Sequence, residues 1–246
     1  IKQMLKIFIL QSASSKMRPI KTEVLFGQVG SEIGLKSLDF EVTPSQKVRV
    51  RGKIDRIDEL KLNSESGKTQ QYFGIVDYKS SVHDFNFRDV YYGLAMQMLT
   101  YIDALKQNIS LIDEHAVSPL LSGALYMHLQ NPTINVNKLS EVNPQAIQKE
   151  LLKKTKYKGI VLSDPELLDN LDVQLDSGSS LIYPFKKTKS GKYSSYDNRI
   201  VTQEDLARLI KHAEKKIVEA AQKIFAGELK LNPARWPDTH TALQYS

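Results

Sequence analysis

Asp55, Asp77 and Lys79 are the residues of this sequence whose types and spacing could do chemistry together. Asp77 and Lys79 close an apolar run, Tyr72-Phe73-Gly74-Ile75-Val76, that reads as a strand buried on both faces. Residues two apart on a strand point the same way, so this acid and this lysine share a face. Asp55 lies in an earlier alternating stretch, Lys47–Asp58, with Val48, Val50, Gly52 and Ile54 on one side and Arg49, Arg51, Lys53 and Asp55 on the other. A hairpin between the two stretches would bring Asp55 beside Asp77. Two converging carboxylates repel unless a cation sits between them, and hard oxygen ligands suit Mg²⁺ or Mn²⁺. The Lys79 ammonium can then hold an attacking water or offset charge in the transition state. An isolated D-x-K is most often a surface ion pair, Asp77 with Lys79 or Asp55 with Arg56. Here the preceding strand is apolar and a second acid stands one strand earlier, and buried charges are costly without a role.

The elements that must position these residues are legible in outline. Residues 22–27 and 37–42 read as strands, and Asn63-Ser64-Glu65-Ser66-Gly67-Lys68 carries the reversal between the two long stretches. A helix is expected over Phe87–Leu105, with Tyr91, Leu94, Ala95, Met98, Ile102 and Leu105 as its apolar stripe. A strand at 123–129, a short helix at 144–154, a strand at 159–162 and a Ser-, Lys- and Tyr-rich loop or hairpin over 177–200 follow. The last helix opens on Thr202 with Asp205 as a capping pair and ends at Gly227. The order implies one mixed α/β domain spanning residues 1–246.

Composition narrows the chemistry. The chain of 246 residues has 34 Lys+Arg against 28 Asp+Glu, a net charge of +6, which permits a nucleic-acid partner without requiring one. It contains no cysteine, so disulfides, thiolate metal sites, an iron–sulfur cluster held within the chain and a cysteine nucleophile are all excluded. A reducing, cytoplasmic setting is the default expectation. No run of 18 apolar residues occurs, so no membrane span is expected. The five histidines lack ligand spacing, and no G-x-x-x-x-G-K-[ST] phosphate loop occurs, so any ATP-driven motor lies elsewhere. The chain begins at Ile1 rather than Met, and it reads as a piece of a longer protein whose first helix packs on material partly absent.

Taken together, Gly52-Lys53-Ile54-Asp55-Arg56-Ile57-Asp58, Val76-Asp77-Tyr78-Lys79-Ser80-Ser81 and Gly93-Leu94-Ala95-Met96-Gln97-Met98-Leu99-Thr100-Tyr101 resemble the PD-(D/E)xK nuclease superfamily in its RecB-like branch. The pattern is close to the C-terminal nuclease domain of the AddB and RexB type of helicase–nuclease. The resemblance implies a restriction-endonuclease-like mixed sheet flanked by helices. It implies a Mg²⁺-dependent DNA exonuclease, with Mn²⁺ able to substitute, acting in double-strand break repair and recombination with a helicase–nuclease partner of AddA or RexA type. Carried over by position, Asp55 and Asp77 are the metal-binding acids, the Val76 carbonyl a backbone ligand, and Lys79 the catalytic lysine. Gln97 and Tyr101 are the Q-x-x-x-Y pair that touches DNA; as i, i+4 residues they share a helix face. A catalytically inactive DNA-binding or scaffolding module is the competing reading, against which the intact Asp/Asp/Lys set argues.

The departures from the family pattern matter too. The family usually has an upstream His or acid as a further ligand, yet no His precedes His83 and Glu23 is the only nearby acid to consider. Proteins of the AddB type often carry a cysteine-ligated iron–sulfur cluster near the end, where this chain has Leu243 and Ser246 at the matching spacing. No iron–sulfur cluster is expected, and residues 228–246, with Trp236 and Leu243, are expected to close that end by apolar packing. The loop with Lys186, Lys187, Lys189 and Lys192 among Tyr183, Phe185, Tyr193 and Tyr196 could follow a DNA backbone and stack on bases.

Overall fold

The alternating and apolar stretches assemble into one mixed sheet. The computed structural model describes residues 2–28, 34–63, 69–81, 83–130, 132–134, 143–228, 230 and 235. Six strands stand in the order β1 (Arg18–Phe26), β4 (Gly52–Asn63), β5 (Thr69–Lys79), β6 (Leu120–His128), β7 (Lys158–Leu162) and β11 (Ile200–Val201). β5 runs parallel to β6 and β7 parallel to β11, while the other neighbours are antiparallel. A separate hairpin pairs β2 (Leu38–Thr43) with β3 (Gln46–Val50). A small sheet joins β8 (Gly178–Ser179), β9 (Lys186–Lys187) and β10 (Tyr193–Ser194).

Helices cover both faces: α1 (Lys2–Ser14), α2 (Phe87–Tyr91), α3 (Gln97–Ile112), α4 (Pro144–Lys154), α5 (Pro165–Leu171) and α6 (Gln203–Phe225). Every residue of β5 from Gln71 to Asp77 is buried, as its continuous apolar run requires of a central strand. Alternation divides its side chains. Phe73 and Ile75 join Met98, Ile102 and Leu105 of α3 and Leu206 and Ile210 of α6 in one core. Tyr72 and Val76 join Leu167, Leu168 and Leu171 of α5 and Tyr183 and Phe185 in the other. The same period of two turns Asp77 towards the α3 side.

Helix starts follow local chemistry. Asn143 caps α4 by accepting from Ala146 N–H, and Thr202 caps α6 by accepting from Asp205 N–H. Asp164 followed by Pro165 opens α5, a helix not anticipated from the sequence. Gly227, at φ 69°, stands two residues past the end of α6.

Several boundaries differ from the sequence expectation. The stretch 47–58 is two strands, not one: it breaks at Arg51, with β3 pairing to β2 and β4 to β1 and β5. Gly52 sits at the break for a steric reason. A Cβ there would meet the Phe26 ring at 2.7 Å and Tyr101 Cε1 at 3.1 Å. The expected helix 87–105 is also two, α2 and α3, parted at residues 92–96 where Gly93 adopts φ 78°. Tyr91 and Leu94 consequently leave the apolar stripe and are 64% and 49% exposed, whereas Met98, Ile102 and Leu105 are buried. Region 177–200, expected as a loop or hairpin, carries short strands joined by loops. The reversal at 64–68 lies outside the described residues, although Asn63 pairs with Thr69 and so closes the hairpin. Trp236, Leu243 and Ser246 of the tail also lie outside the described residues.

One buried acid on α3 gives the fold a pH dependence. Asp103 is buried with Gln107 as its hydrogen-bond partner at 3.1 Å, and burial, with Glu214 of α6 adding repulsion, pushes its carboxyl up to about 6. A carboxyl whose folded pKa is raised contributes stability below its unfolded value and loses it as pH rises through the folded one. Asp103→Asn is therefore expected to stabilise the fold at pH 8 by on the order of 2–3 kcal/mol and to change little at pH 4. Denaturant midpoints at the two pH values check this, and equal shifts at both would contradict it.

Candidate active site

Asp55, Asp77, Lys79, Gln97 and Tyr101 meet at one end of the sheet, beneath the first turn of α3. Asp55 and Asp77 stand one step beyond the Arg56–Val76 pair of the β4–β5 ladder. The Tyr78 N–H donates to Asp55 Oδ2 at 2.9 Å, which ties the first acid to the strand that carries the second. Lys79 Nζ lies 2.6 Å from Asp77 Oδ2 and donates to Gln97 Oε1 at 2.8 Å. Gln97 Nε2 in turn donates to Asp77 Oδ1 at 3.1 Å and to the Tyr101 hydroxyl at 3.3 Å. The partners fix the amide's orientation, since its oxygen faces an ammonium and its nitrogen a carboxylate.

α3 begins at Gln97, so Gln97 and Tyr101 sit one turn apart on the face that meets β5. Tyr101 is held from behind by an edge-on contact with Phe26, ring centroids 5.8 Å apart, in the space that Gly52 leaves open. Lys79 Nζ stands 5.6 Å from the centre of the Tyr126 ring on β6, an aromatic floor that no motif or spacing announces.

Asp77 is only 3% exposed. Its Oδ2 is buried, with the Lys79 ammonium at 2.6 Å as its contact and no other hydrogen-bond donor among the described residues. Burial pushes the Asp77 carboxyl up; Lys79 opposes this and the Asp55 charge adds to it. A divalent ion fits this donor set. It gives that buried oxygen a further partner and screens the two acids, and Mg²⁺ is commonly held by one or two carboxylates with waters and substrate phosphates completing the shell. Among the described residues no group of three or more His, Asp or Glu side chains is arranged to hold a metal. Glu23 does not supply a third. It lies on β1 between the Thr22–Arg56 and Val24–Ile54 pairs, but its backbone is at φ 53° and its carboxylate pairs with Lys53. Val76 is paired with Arg56 on one side and Leu125 on the other, so its carbonyl belongs first to the sheet.

The reverse face of the same strands holds a buried charge pair. Arg56 pairs with Asp58, not Asp55, through contacts of 2.7 and 2.8 Å. Alternation puts residues 56 and 58 on one face and 55 on the other. Arg56 also donates to the hydroxyls of Tyr78 and Tyr157, each at 3.1 Å. It thus links the residue after Asp55 to the residue between Asp77 and Lys79.

The remaining candidates separate. His128 is buried and its Nε2 accepts the His83 N–H at 2.8 Å; burial lowers its pKa. His212 stacks on Tyr91, His115 lies beside Glu114, and His240 lies outside the described residues. In the Lys- and Tyr-rich loop, Tyr183 and Phe185 turn into the core, and Lys187 and Tyr193 both bond to Asp169. Tyr196 alone of the four rings is largely open, 71% exposed.

A six-stranded mixed sheet with two acids and a lysine at one end, beside a glutamine–tyrosine helix, is a nuclease-like arrangement, and comparison with known proteins identifies the chain's family as a nuclease one. Residues 1–239 match the family model of the PD-(D/E)XK nuclease superfamily. The chain belongs to that superfamily, and its sheet is the restriction-endonuclease-like one. It is 49% identical over 240 residues to the B subunit of the ATP-dependent helicase/deoxyribonuclease of Lactiplantibacillus plantarum, with 96% of this chain and 19% of that protein covered. It is 48% identical over 246 residues to the protein of the same name from Latilactobacillus sakei, covering 96% and 20%. The Pediococcus pentosaceus counterpart is 40% identical over 248 residues, covering 100% and 20%. The chain thus spans about a fifth of the length of these relatives. The likeness to this type of helicase–nuclease drawn from residues 51–101 is borne out. Among the described residues no helix is long and apolar enough to cross a membrane.

Proposed function

We propose that this chain is the nuclease domain of a longer helicase–nuclease polypeptide and hydrolyses phosphodiester bonds of a DNA strand with Mg²⁺, or Mn²⁺ in its place. The observation that carries this reading is the convergence of Asp55, Asp77 and Lys79, with a buried oxygen on Asp77 whose one partner is the Lys79 ammonium. Asp55 and Asp77 would hold the ion; the Val76 carbonyl would join them only by sharing itself with the ladder. Bound there, the ion supplies Lewis-acid stabilisation of charge on the phosphoryl oxygens and the departing 3′-oxygen.

The protein groups do the positioning. An ammonium has three donors, and those of Lys79 are shared among Asp77, Gln97 and whatever enters the site. The free donor can hold the attacking water or a non-bridging oxygen. Gln97 keeps the lysine and the acid in register, and Tyr101 carries its hydroxyl to the strand side of α3, where both residues can touch DNA. The names of the relatives support a partner subunit, DNA as substrate and an ATP-driven helicase in the assembly; the AddA or RexA type of that partner rests on the motif resemblance alone. We place the activity in repair and recombination of broken ends, in the cytoplasm. With no cysteine in the chain, no iron–sulfur cluster is ligated within it.

The test is metal dependence on a single-stranded oligonucleotide. Cleavage is expected to vanish in excess EDTA and to return with Mg²⁺ or Mn²⁺ but not with buffer alone. Cleavage that persists undiminished in EDTA would reject the reading.

A further inference from the structure

Two lysines stand beside the catalytic row. Lys158 opens β7, and Lys156 stands just before it; both are half-buried. Among the described residues neither makes an ion pair or a side-chain hydrogen bond. Desolvation, then repulsion from Lys158, pulls the Lys156 ammonium's pKa down, and Asp172 alone opposes this. Together with Arg199 and Tyr196 they line a cleft of about 180 Å³, the room of about six waters. Two acids, Asp84 and Asp197, also reach this cleft; Asp84 and Arg199 offset each other at 3.3 Å, which leaves two lysines facing one acid. Half-buried like charges in excess of their counter-charge are costly, and a bound anion removes that cost.

The position of the cleft says which anion. Lys158 is paired across the sheet with Tyr126, and Tyr126 with Asp77. At about 4.8 Å per strand, the cleft begins roughly 10 Å from the catalytic acid along the same row. Tyr196 is 71% exposed at its rim, with Lys186 Nζ 4.4 Å from the ring centre. Cations that take a backbone phosphate beside an open aromatic face form the usual pairing for single strands.

We propose that the cleft of Lys156 and Lys158 holds a backbone phosphate of the DNA strand flanking the one being cut, with Tyr196 as the platform for its base. This rests on the nuclease reading above for the identity of the strand. The test separates binding from cleavage. A fluorescein-labelled oligothymidylate is titrated with the 246-residue chain in EDTA, by anisotropy, over a series of KCl concentrations. The Lys156→Gln/Lys158→Gln variant, and Lys158→Gln alone as the milder change, are expected to keep the wild-type melting temperature. The double variant is expected to bind about tenfold more weakly, with the slope of log K against log [KCl] shallower by about 0.7, the value for one lost single-strand phosphate contact. Tyr196→Ala should weaken binding with the slope unchanged. Inorganic phosphate is expected to compete only at far higher concentration.

Unchanged affinity and slope in the double variant, or no oligonucleotide binding by the wild type, overturns the proposal. So does phosphate binding that the double variant loses while oligonucleotide binding stays intact, because the cleft would then serve a free anion. Mn²⁺-dependent cleavage by the wild type is scored separately. Its failure beside a positive binding result would sink the nuclease reading and leave the cleft a DNA site.

Discussion

Asp77→Asn protein is expected to lose metal-dependent cleavage by at least ~10³-fold while remaining folded. The substitution keeps the shape of the side chain and its contact with Gln97 but removes the charge that would hold the ion, and losing such Lewis-acid stabilisation costs several kcal/mol in the transition state. Its effect on the metal-free fold should have the opposite sign. Burial and Asp55 together raise the Asp77 carboxyl against the pull of Lys79, so the charged form is the one the fold tolerates poorly. A raised pKa means that stability is lost as pH rises through the folded value. The variant's melting temperature in EDTA at pH 8 is accordingly expected to equal or exceed that of the wild type. Full cleavage by the purified variant would remove Asp77 from the site.

Lys79→Ala should separate turnover from metal binding. The ammonium contacts Asp77 Oδ2 at 2.6 Å, the same oxygen an ion would take, so lysine and metal compete for it. Removing the lysine leaves that oxygen to the metal, and Mn²⁺ affinity is expected to hold or tighten. Turnover at saturating Mn²⁺ should fall by about 10²–10³, the usual loss for one preorganised charge contact. Gln97 and Tyr126 would remain in place, since their other contacts do not pass through Lys79. If Mn²⁺ binding disappeared with the lysine, its role would be that of a structural tie and not of a group acting on water or phosphate.

Much of the site was legible because it is local. The strand that carries Asp77 and Lys79 announces its burial by an apolar run, and period two then fixes which residues share its face. Asp55 needed only a hairpin, and Gln97 with Tyr101 only a helical turn. What the sequence hid lies in contacts between distant segments. The break at Arg51 is invisible because the alternation Val48, Val50, Gly52, Ile54 continues unbroken while the chain leaves one sheet for another. The gap between α2 and α3 is marked by Gly93 alone, in a stretch whose spacing stays helical. α5 has a plain start signal in Asp164-Pro165, but its seven residues are too few to show a periodic stripe. Alternation alone puts Arg56 and Asp58 on one face, but the Tyr78 and Tyr157 hydroxyls that complete this buried group come from distant segments. The cleft of Lys156 and Lys158 joins residues from β7, the 177–200 segment and the residue before Phe85, a meeting that spacing cannot report.

The central claim is that Asp55 and Asp77 together hold a divalent ion. Anomalous diffraction from crystals grown with Mn²⁺, collected near the manganese absorption edge, tests it most directly. One strong anomalous peak bonded to both carboxylates is expected, with Asp77 Oδ2 among its ligands, and that peak should be lost in Asp77→Asn crystals. A manganese peak elsewhere on the molecule with none between the two acids, from crystals of protein that cleaves DNA in the same buffer, would contradict it.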